Sequence, residues 1–277
     1  ESVITLGRAL LGAGIKPGDR IATLAPPCRG FWICFLACAA IGATWLGLNP
    51  RYKRREFAFF IRDAKPKLIF TFSPFDGRNY DGEIEMILKD LNLDKDCKLV
   101  QFDDKSFNFT DFSDFLAQHW VLASEQLFHR SMIKVKDTDI AAIVYTSGST
   151  GRPKGSMLSH RSLCRSAKAS VGWMGQSLER AAMAFPINHI GSLSAIGMNV
   201  LAFGGTVYFM AHFRAADILA IGKKEKITFG GHNETTFQML LESPQFEIEQ
   251  MSSLKLLIHG GSKTYAETLR KFLPLNT

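Results

Sequence analysis

A segment dense in glycine and hydroxyl side chains follows the apolar run 140–144. Residues 145–155 read Tyr-Thr-Ser-Gly-Ser-Thr-Gly-Arg-Pro-Lys-Gly. Glycine tolerates backbone angles that other residues resist, so such a loop can point several N–H groups at one ligand. The hydroxyl groups add donors and Lys154 adds a positive charge, a combination that suits a polyphosphate. We therefore predict a phosphate-binding loop.

This loop differs from the common P-loop, which has four residues between a glycine and a Gly-Lys-Ser/Thr ending. Its lysine lies instead between Pro153 and Gly155. Serine- and glycine-rich stretches are also typical of ordinary surface loops and linkers. The Pro-Lys-Gly ending, and a helix start predicted at 159–163 with Ser159 as a candidate N-cap, favour phosphate binding over a linker.

Two further loops follow predicted strands. Residues 186–192 contain a lone histidine, His189, and residues 259–263 contain the pair Gly260-Gly261. Ligands bind beyond the carboxyl ends of parallel strands, so all three loops are candidate parts of one site. A lone histidine is more often a core or surface residue, and a glycine pair also fits a plain strand-to-helix turn. Without side chains, however, the pair lets a flat base approach the main chain closely.

The loop at 145–155 resembles the phosphate-binding signature of the adenylate-forming (AMP-binding) superfamily. That superfamily holds acyl-CoA synthetases, aryl-CoA ligases, luciferases and peptide-synthetase adenylation domains. Residues 156–161, Ser-Met-Leu-Ser-His-Arg, match the family's extension of the signature, and the early segments 14–22 and 42–50 also resemble family segments. The resemblance implies an acyl-CoA synthetase-like large domain that binds ATP.

The resemblance also implies roles for individual residues. Lys154 would contact the departing pyrophosphate, and His189 would lie between the nucleotide site and the acyl pocket, so both are catalytic candidates. Residues 260–263 resemble the family's Gly-Gly-Ala-Pro segment, whose main chain passes against adenine. The nucleotide-binding candidates are Thr146, Ser147, Gly148, Ser149, Thr150, Gly151, Lys154, Gly260, Gly261 and Ser262. The hydroxyl groups among them would contact phosphate or shape the loop.

The chain departs from the family's pattern in three places. Ser262 and Lys263 stand where alanine and proline are usual. Residues 230–235, Gly-Gly-His-Asn-Glu-Thr, stand where relatives have a Val-Pro-Thr type turn beside the acyl pocket. These polar residues indicate either a more polar substrate or a variation in a solvent-facing turn. Asn188 and His189 stand near the position where peptide-synthetase relatives hold a substrate amine with an aspartate, which disfavours an amino-acid substrate.

Apolar runs and amphipathic segments alternate along the chain. Apolar runs predict strands at 20–24, about 43–48, 67–71, 98–102, 139–145, 180–185, 206–210, 227–229 and 254–258. Helical periodicity predicts helices at 2–13, about 30–41, 53–64, 83–91, 161–173, 199–202, 215–224, 235–241 and from 265. Residues 103–136 are predicted as a connecting region with one short helix. This alternation indicates an α/β fold with layered, mainly parallel sheets flanked by helices.

The charge-free run 31–48 reaches the minimum length of a membrane helix. Gly42 and Gly47 interrupt it, and the aliphatic residues after Gly42 are spaced like those of a strand. We therefore predict a buried helix, a glycine stop and a buried strand instead of a membrane span.

The composition is that of a soluble globular protein, with 46% hydrophobic and 21% charged residues among 277. The net charge of +7 reflects 33 basic and 26 acidic residues. The basic clusters at 53–55 and 223–226 are short and come with no nucleic-acid fold signature, so they predict solvated helix faces and phosphate ligands, not nucleic acid. Contact with a membrane surface is left open.

The five cysteines predict no disulfide framework. Cys34 and Cys38 are four residues apart among apolar neighbours, without a nearby histidine or second cysteine pair, so we interpret them as small buried hydrophobic residues and not as metal ligands. A reducing, cytoplasmic compartment follows, with organelle targeting left open.

The resemblance implies an ATP-dependent acid–thiol ligase that uses ATP, Mg²⁺ and CoA. The 22 phenylalanines and 9 methionines of the chain favour a fatty or other hydrophobic acid as the substrate. The alternatives are an adenylating enzyme whose acceptor is a carrier-protein thiol or oxygen, and a nucleotide-binding homologue without turnover. The family also has a Tyr-Gly-x-Thr-Glu motif with a Mg²⁺-binding glutamate, a ribose-binding aspartate, and a C-terminal domain with the catalytic lysine. None of these is found in residues 1–277. We therefore expect a partial AMP-binding N-terminal domain, cut at both ends, that holds no metal ligand and does not complete the reaction alone.

Overall fold

The computed structural model of the chain describes residues 1–102, 110–146 and 152–272. They divide into two units, Glu1–Ser162 and Leu163–Thr277, and each unit has its own sheet. Both sheets are flanked by helices, which confirms the predicted α/β fold with mainly parallel strands.

The first unit is built around a six-stranded sheet with the order β4-β3-β1-β2-β5-β6. Its first five strands are parallel, and β6 runs antiparallel to β5. The strands are β1 (Arg20–Leu24), β2 (Thr44–Leu48), β3 (Leu68–Phe72), β4 (Lys98–Phe102), β5 (Ile140–Thr146) and β6 (Lys154–Ser159). The helices are α1 (Ser2–Gly12), α2 (Arg29–Ala40), α3 (Arg54–Ala64), α4 (Tyr80–Asp90), α5 (Thr110–Trp120) and α6 (Glu125–Lys134).

The two faces of this sheet bury different sets of side chains, because successive residues of a strand point to opposite faces. Leu24 and Ile69 pack with α3 and α4 in one apolar core. On the other face, Trp45 lies between Phe31 and Phe35 of α2, with ring centroids 5.2 and 5.3 Å away. Its indole N–H, which would otherwise be buried without a partner, donates to Thr23 Oγ1 at 3.1 Å. Strands buried on both sides explain the near-continuous apolar runs of the sequence.

The charge-free run 31–48 folds as predicted into most of α2, a turn and β2. Gly42 has φ +76°, the left-handed conformation that suits glycine, at the turn between them. Among the residues that the structure describes, no helix has both the length and the apolar character needed to cross a membrane.

The second unit is built around a four-stranded, wholly parallel sheet with the order β10-β9-β7-β8. The strands are β7 (Arg180–Met183), β8 (Thr206–Phe209), β9 (Phe229–His232) and β10 (Leu256–His259). The helices are α7 (His160–Met174), α8 (Asn199–Phe203), α9 (Ala215–Glu225), α10 (Glu234–Leu241) and α11 (Ala266–Arg270). A π-helix, Gly191–Met198, precedes α8, and 3-10 turns occupy Gly175–Glu179 and Ile248–Met251.

Several elements differ from the sequence prediction. The connecting region 103–136 contains two helices, not one, because Phe112 and Phe115 of α5 pack on Phe70 and Phe128 of α6 is buried. Residues 154–159 form a strand that was not predicted, since β6 is the antiparallel edge strand of a hairpin with β5. The strand predicted at 227–229 is displaced to 229–232, through the glycine pair interpreted as a turn.

The glycines of β9 have a packing reason. A Cβ on Gly230 would lie 3.0 Å from Leu257 Cδ1, and a Cβ on Gly231 would lie 3.2 Å from Ile196 Cδ1. These side chains close over the strand at positions where any larger residue would push them away. The glycine pair therefore marks close approach within a strand, not a chain reversal.

Gly12 permits a close approach of α1 to α5, and its replacement is expected to destabilise the protein. A Cβ there would lie 2.0 Å from the main-chain oxygen of His119, which cannot move without shifting α5. We expect Gly12→Ala to lower the free energy of unfolding by about 1–3 kcal/mol, the usual cost of overpacking. The measurement is the urea midpoint of the whole chain. Gly172→Ala, at an exposed position of α7 with no atom within 4 Å of its Cβ position, is the matched control and should be neutral or gain up to about 1 kcal/mol. Equal midpoints for the two variants would contradict this packing argument.

Candidate active site

The β5–β6 hairpin carries the first predicted loop. Thr146 ends β5 and lies directly opposite Lys154, the first residue of β6. Both are exposed, so the Lys154 ammonium is available at the mouth of the loop. The predicted phosphate-contacting residues Ser147, Gly148, Ser149, Thr150 and Gly151 lie outside the described residues.

Aromatic packing and a phenol hydrogen bond hold the base of the hairpin on α3. The ring of Tyr145 packs against Phe60 with centroids 4.5 Å apart, and its hydroxyl donates to the carboxylate of Asp63. Burial, and then the hydrogen bond to Asp63, raise the pKa of Tyr145, so the phenol stays protonated at neutral pH. Gly155, opposite Tyr145, has no room for a side chain because a Cβ would lie 3.0 Å from Ile143 Cγ2 and 3.3 Å from the Tyr145 ring. The glycine of the Pro-Lys-Gly ending is therefore explained by packing.

The other end of the hairpin is held where α7 begins. The Arg161 guanidinium donates to both carboxylate oxygens of Asp137, from Nε at 2.7 Å and from Nη2 at 2.9 Å. Ser159 Oγ accepts from the Ser162 N–H at 3.2 Å, as predicted for an N-cap. The two strands that flank the loop are thus fixed independently of the loop itself.

In the second unit, three strands deliver loops to one edge of the sheet. Because β7, β9 and β10 are parallel, the residues after each strand emerge on the same side. Residues 186–192 and 259–263 therefore share an edge, whereas the loop after β5 belongs to a different sheet. That the three loops form parts of one site stays a prediction.

His189 lies in this edge and is exposed. Its Nδ1 accepts the Gly191 N–H at 3.2 Å, and its carbonyl oxygen accepts from the N–H groups of Ser192 and Leu193 at 3.1 and 2.9 Å. The ring thereby caps the start of the π-helix. Since Nδ1 acts as an acceptor, the neutral ring carries its proton on Nε2, which makes Nε2 a donor.

The glycine pair after β10 faces open space. No described atom lies within 4 Å of the position that a Cβ would take on Gly260 or Gly261, and Gly261 has φ +79°. The Gly260 N–H donates to the His232 carbonyl oxygen, which joins this loop to β9. Ser262 Oγ accepts from the Glu234 N–H at 3.4 Å, and the Lys263 ammonium lies 5.2 Å from the centre of the Tyr265 ring. A planar ligand can reach the main chain here.

The polar residues at 232–234 end β9 and begin α10, so they do not form the turn that was one of the two interpretations. Asn233 is the N-cap of α10, and its Oδ1 accepts from the Thr236 N–H at 3.0 Å. Glu234 accepts hydrogen bonds from three donors on α10 and near α11. His232 is the last residue of β9 and is only 9% exposed. Sequence reasoning missed the role of Glu234 because two of its three partners, Tyr265 and Thr268, lie 31 and 34 residues further along the chain.

His232 is buried in a cage of phenylalanine rings. Phe185, Phe213 and Phe237 lie with ring centroids 6.4, 5.8 and 5.3 Å from the imidazole. Its Nδ1 has no hydrogen-bond partner within the described part of the chain, and the residue lines a cavity of about 30 Å³. Burial lowers the pKa of His232 to about 4, so the ring is neutral at pH 7.

The first unit thus has an exposed lysine opposite the end of β5, and the second unit has an uncovered glycine pair and an exposed histidine at one edge of its parallel sheet. The family model described as "AMP-binding enzyme" matches residues 1–277. The chain belongs to the AMP-binding enzyme family.

Individual relatives are similar at modest identity. The 4-coumarate–CoA ligase 1 of Solanum tuberosum is 25% identical over 254 residues, which cover 90% of this chain and 44% of the relative. The long-chain-fatty-acid–CoA ligase of Bacillus subtilis (strain 168) is 24% identical over 280 residues, covering 94% of this chain and 49% of the relative. The ATP-bound structure of MatB from Rhodopseudomonas palustris superposes with a TM-score of 0.81 at 28% identity, over 99% of this chain and 51% of MatB. The chain thus spans about half the length of these three proteins.

Protonation of His232 is expected to make stability fall at acid pH. An unfolded histidine titrates near pH 6.5 and the folded His232 near 4, so between these values the unfolded chain binds more protons. Stability therefore falls as the pH drops through this window, by about 2 kcal/mol between pH 7.5 and pH 5. Urea unfolding of the whole chain at these two pH values measures the loss. His232→Leu should remove most of it and exposed His189→Leu should not; a loss of unchanged size in His232→Leu would exclude His232 as its source.

Proposed function

We propose that the protein is an ATP-dependent acid–CoA ligase. It would join a carboxylate oxygen to the α-phosphorus of ATP with departure of pyrophosphate, and then transfer the acyl group to the CoA thiolate with departure of AMP. The observation that carries the proposal is the hairpin that places Lys154 opposite Thr146 at the ends of the hydroxyl-rich loop, in a chain that the AMP-binding family model matches throughout. The chain spans about half the length of its relatives. Both steps of the reaction are therefore proposed for the protein and are not assigned to these residues alone.

Each candidate residue has a task in this reaction. Pyrophosphate leaves with an extra negative charge, so a preorganised cation aimed at it lowers the barrier. We assign that task to the ammonium of Lys154, supported by its exposure beside the loop. We assign adenine to the main chain at Gly260 and Gly261, where no side chain stands in the way. His189 would donate from Nε2 between the nucleotide and the acid.

Mg²⁺ would arrive with the ATP phosphates. Within residues 1–102, 110–146 and 152–272, no group of three or more His, Cys, Asp or Glu side chains could hold a metal ion. We assign none of these residues to Mg²⁺.

For the acid, we propose a hydrophobic carboxylate, with fatty acids as the first class to test. The relatives support the broader statement, since one is named for 4-coumarate and another for long-chain fatty acids. The polar atoms of Asn233 and Glu234 are engaged within the fold, so they do not argue for a polar acid. We also propose a cytoplasmic location, because the five cysteines are thiols.

The loss of the Lys154 charge is expected to weaken ATP binding selectively. ATP carries the phosphates that this lysine would contact, and AMP does not. We expect Lys154→Ala to weaken ATP binding about tenfold or more, the worth of a charge-assisted hydrogen bond, while AMP binding changes less than about twofold. Calorimetric titration of the 277-residue chain measures the ATP and AMP affinities, and Lys168→Ala, at an exposed position of α7, is the matched control. An equal loss for ATP and AMP would remove Lys154 from the pyrophosphate position.

Turnover separates the ligase from its two alternatives. With the protein expressed from its native gene, we expect pyrophosphate release that depends on a carboxylic acid, and a CoA ester when CoA is added. Fatty acids of several lengths and 4-coumarate are tested in parallel. Pyrophosphate release without a CoA ester would favour a different acceptor, such as a carrier-protein thiol. ATP binding without acid-dependent release would favour a nucleotide-binding homologue that does not turn over.

A further inference from the structure

Glu234 connects α10 to the loop that carries the glycine pair. Its Oε2 accepts the main-chain N–H of Tyr265 at 3.1 Å. Its Oε1 accepts from the Thr268 hydroxyl at 2.7 Å and from the Gln238 amide at 2.8 Å. The Gln238 amide also donates to Thr268 Oγ1 at 2.9 Å. We call Glu234, Gln238, Tyr265 and Thr268 the Glu234 network.

The chemistry of this network requires a carboxylate. All three partners of the side chain are donors, and an ionised carboxylate is an acceptor on both oxygens. The hydrogen bond from Gln238, followed by those from Thr268 and the Tyr265 N–H, lowers the pKa of Glu234 against an opposing effect of burial. The side chain is therefore ionised at neutral pH. A glutamine of the same shape would keep one acceptor oxygen but would put an N–H₂ donor at the other position.

The loop itself has few other bonds to hold it. Within the described residues, no N–H of residues 261–264 donates to another main-chain group. Two hydrogen bonds fix the ends of the loop. At its start the Gly260 N–H donates to the His232 carbonyl oxygen, and at its end the Tyr265 N–H donates to the Glu234 carboxylate. In the middle, Ser262 Oγ accepts from the Glu234 N–H. Glu234 thus contacts the loop twice, through its side chain and through its main chain.

Two departures from the family's pattern meet in this contact. Ser262 stands where alanine is usual, and Glu234 stands in the segment where relatives have a Val-Pro-Thr type turn. In the structure, the main-chain N–H of Glu234 donates to Ser262 Oγ. A contact between two atypical residues, 28 positions apart, is a feature of this chain's own residues.

We propose that Glu234 is a positioning residue for the nucleotide, which fixes loop 260–265 on α10 so that the main chain at the glycine pair is held ready for adenine. The proposal rests on the assignment of adenine to that loop under Proposed function. A glycine pair in open space is costly to order when a ligand arrives, because glycine loses more conformational freedom than other residues. A loop already fixed at both ends pays less of that cost at binding.

The test replaces only the charge. Glu234→Gln keeps the size of the side chain, and Glu267→Gln makes the same change at an exposed position on the first turn of α11. Hydrogen exchange of the peptide that contains Tyr265 reports the loop without nucleotide. Titration with ATP and GTP then reports how well adenine is received, and the urea midpoint shows that each variant is folded. Glu234→Ala is the second variant, because it removes the side-chain contacts without introducing a donor.

We expect the Tyr265 amide to exchange about tenfold faster in Glu234→Gln, as a hydrogen bond to a charged group is lost. ATP affinity should fall about tenfold and GTP affinity less than about twofold, so the preference for ATP shrinks; Glu267→Gln should match the unaltered chain in all three. Faster exchange with unchanged ATP affinity would show that Glu234 holds the loop without positioning adenine, and would overturn the proposal. Unchanged exchange and affinity in both Glu234 variants would overturn it as well. If the unaltered chain itself does not prefer ATP to GTP, the adenine assignment fails instead.

Discussion

Hydrogen bonding between parallel strands is the constraint on which the second unit depends. Parallel strands leave a sheet at the same edge, so the segments after β7, β9 and β10 must emerge side by side. The Gly260 N–H also donates to the His232 carbonyl oxygen, which joins the loop after β10 to the last residue of β9. The strand order therefore brings the candidate site residues of this unit to one edge of the sheet, provided that each strand end carries the required side chain.

The polar residues after β9 show how such an edge is maintained. Asn233 accepts the Thr236 N–H at the start of α10, and Glu234 accepts from donors in the segment after β10. His232 does the opposite, because its ring is enclosed by phenylalanines with Nδ1 left without a partner among the described residues. Asn233 and Glu234 add order to the edge of the sheet, whereas His232 makes the stability of the unit sensitive to acid. Three consecutive polar residues thus have three different physical roles.

Much of this arrangement was accessible from the sequence. Buried parallel strands appear as short apolar runs, so β1, β2 and β4 were placed to within a residue. The exposed edge strand β6 has no such run, and it forms because β5 offers it a partner. The helices α5 and α6 were underestimated because their phenylalanines are spread through a polar segment. The positions of His189 and of the glycine pair at one sheet edge followed from strand order. The Glu234 network could not be predicted, since a local pattern contains no information about a partner 31 or 34 residues away.

The hairpin that bears Lys154 has a thermodynamic dependence on distant parts of the chain. Thr44 Oγ1 donates to the Ile140 carbonyl across 96 residues, and Tyr145 reaches Asp63 across 82. Closing a loop of that length costs about 1 kcal/mol more than closing the roughly four times shorter loop between β1 and β2. The helix α3 and the strand β2 therefore help to stabilise a hairpin that lies about a hundred positions later in the sequence. Natural variation among those early residues can tune the stability of the hairpin while Thr146 and Lys154 stay the same.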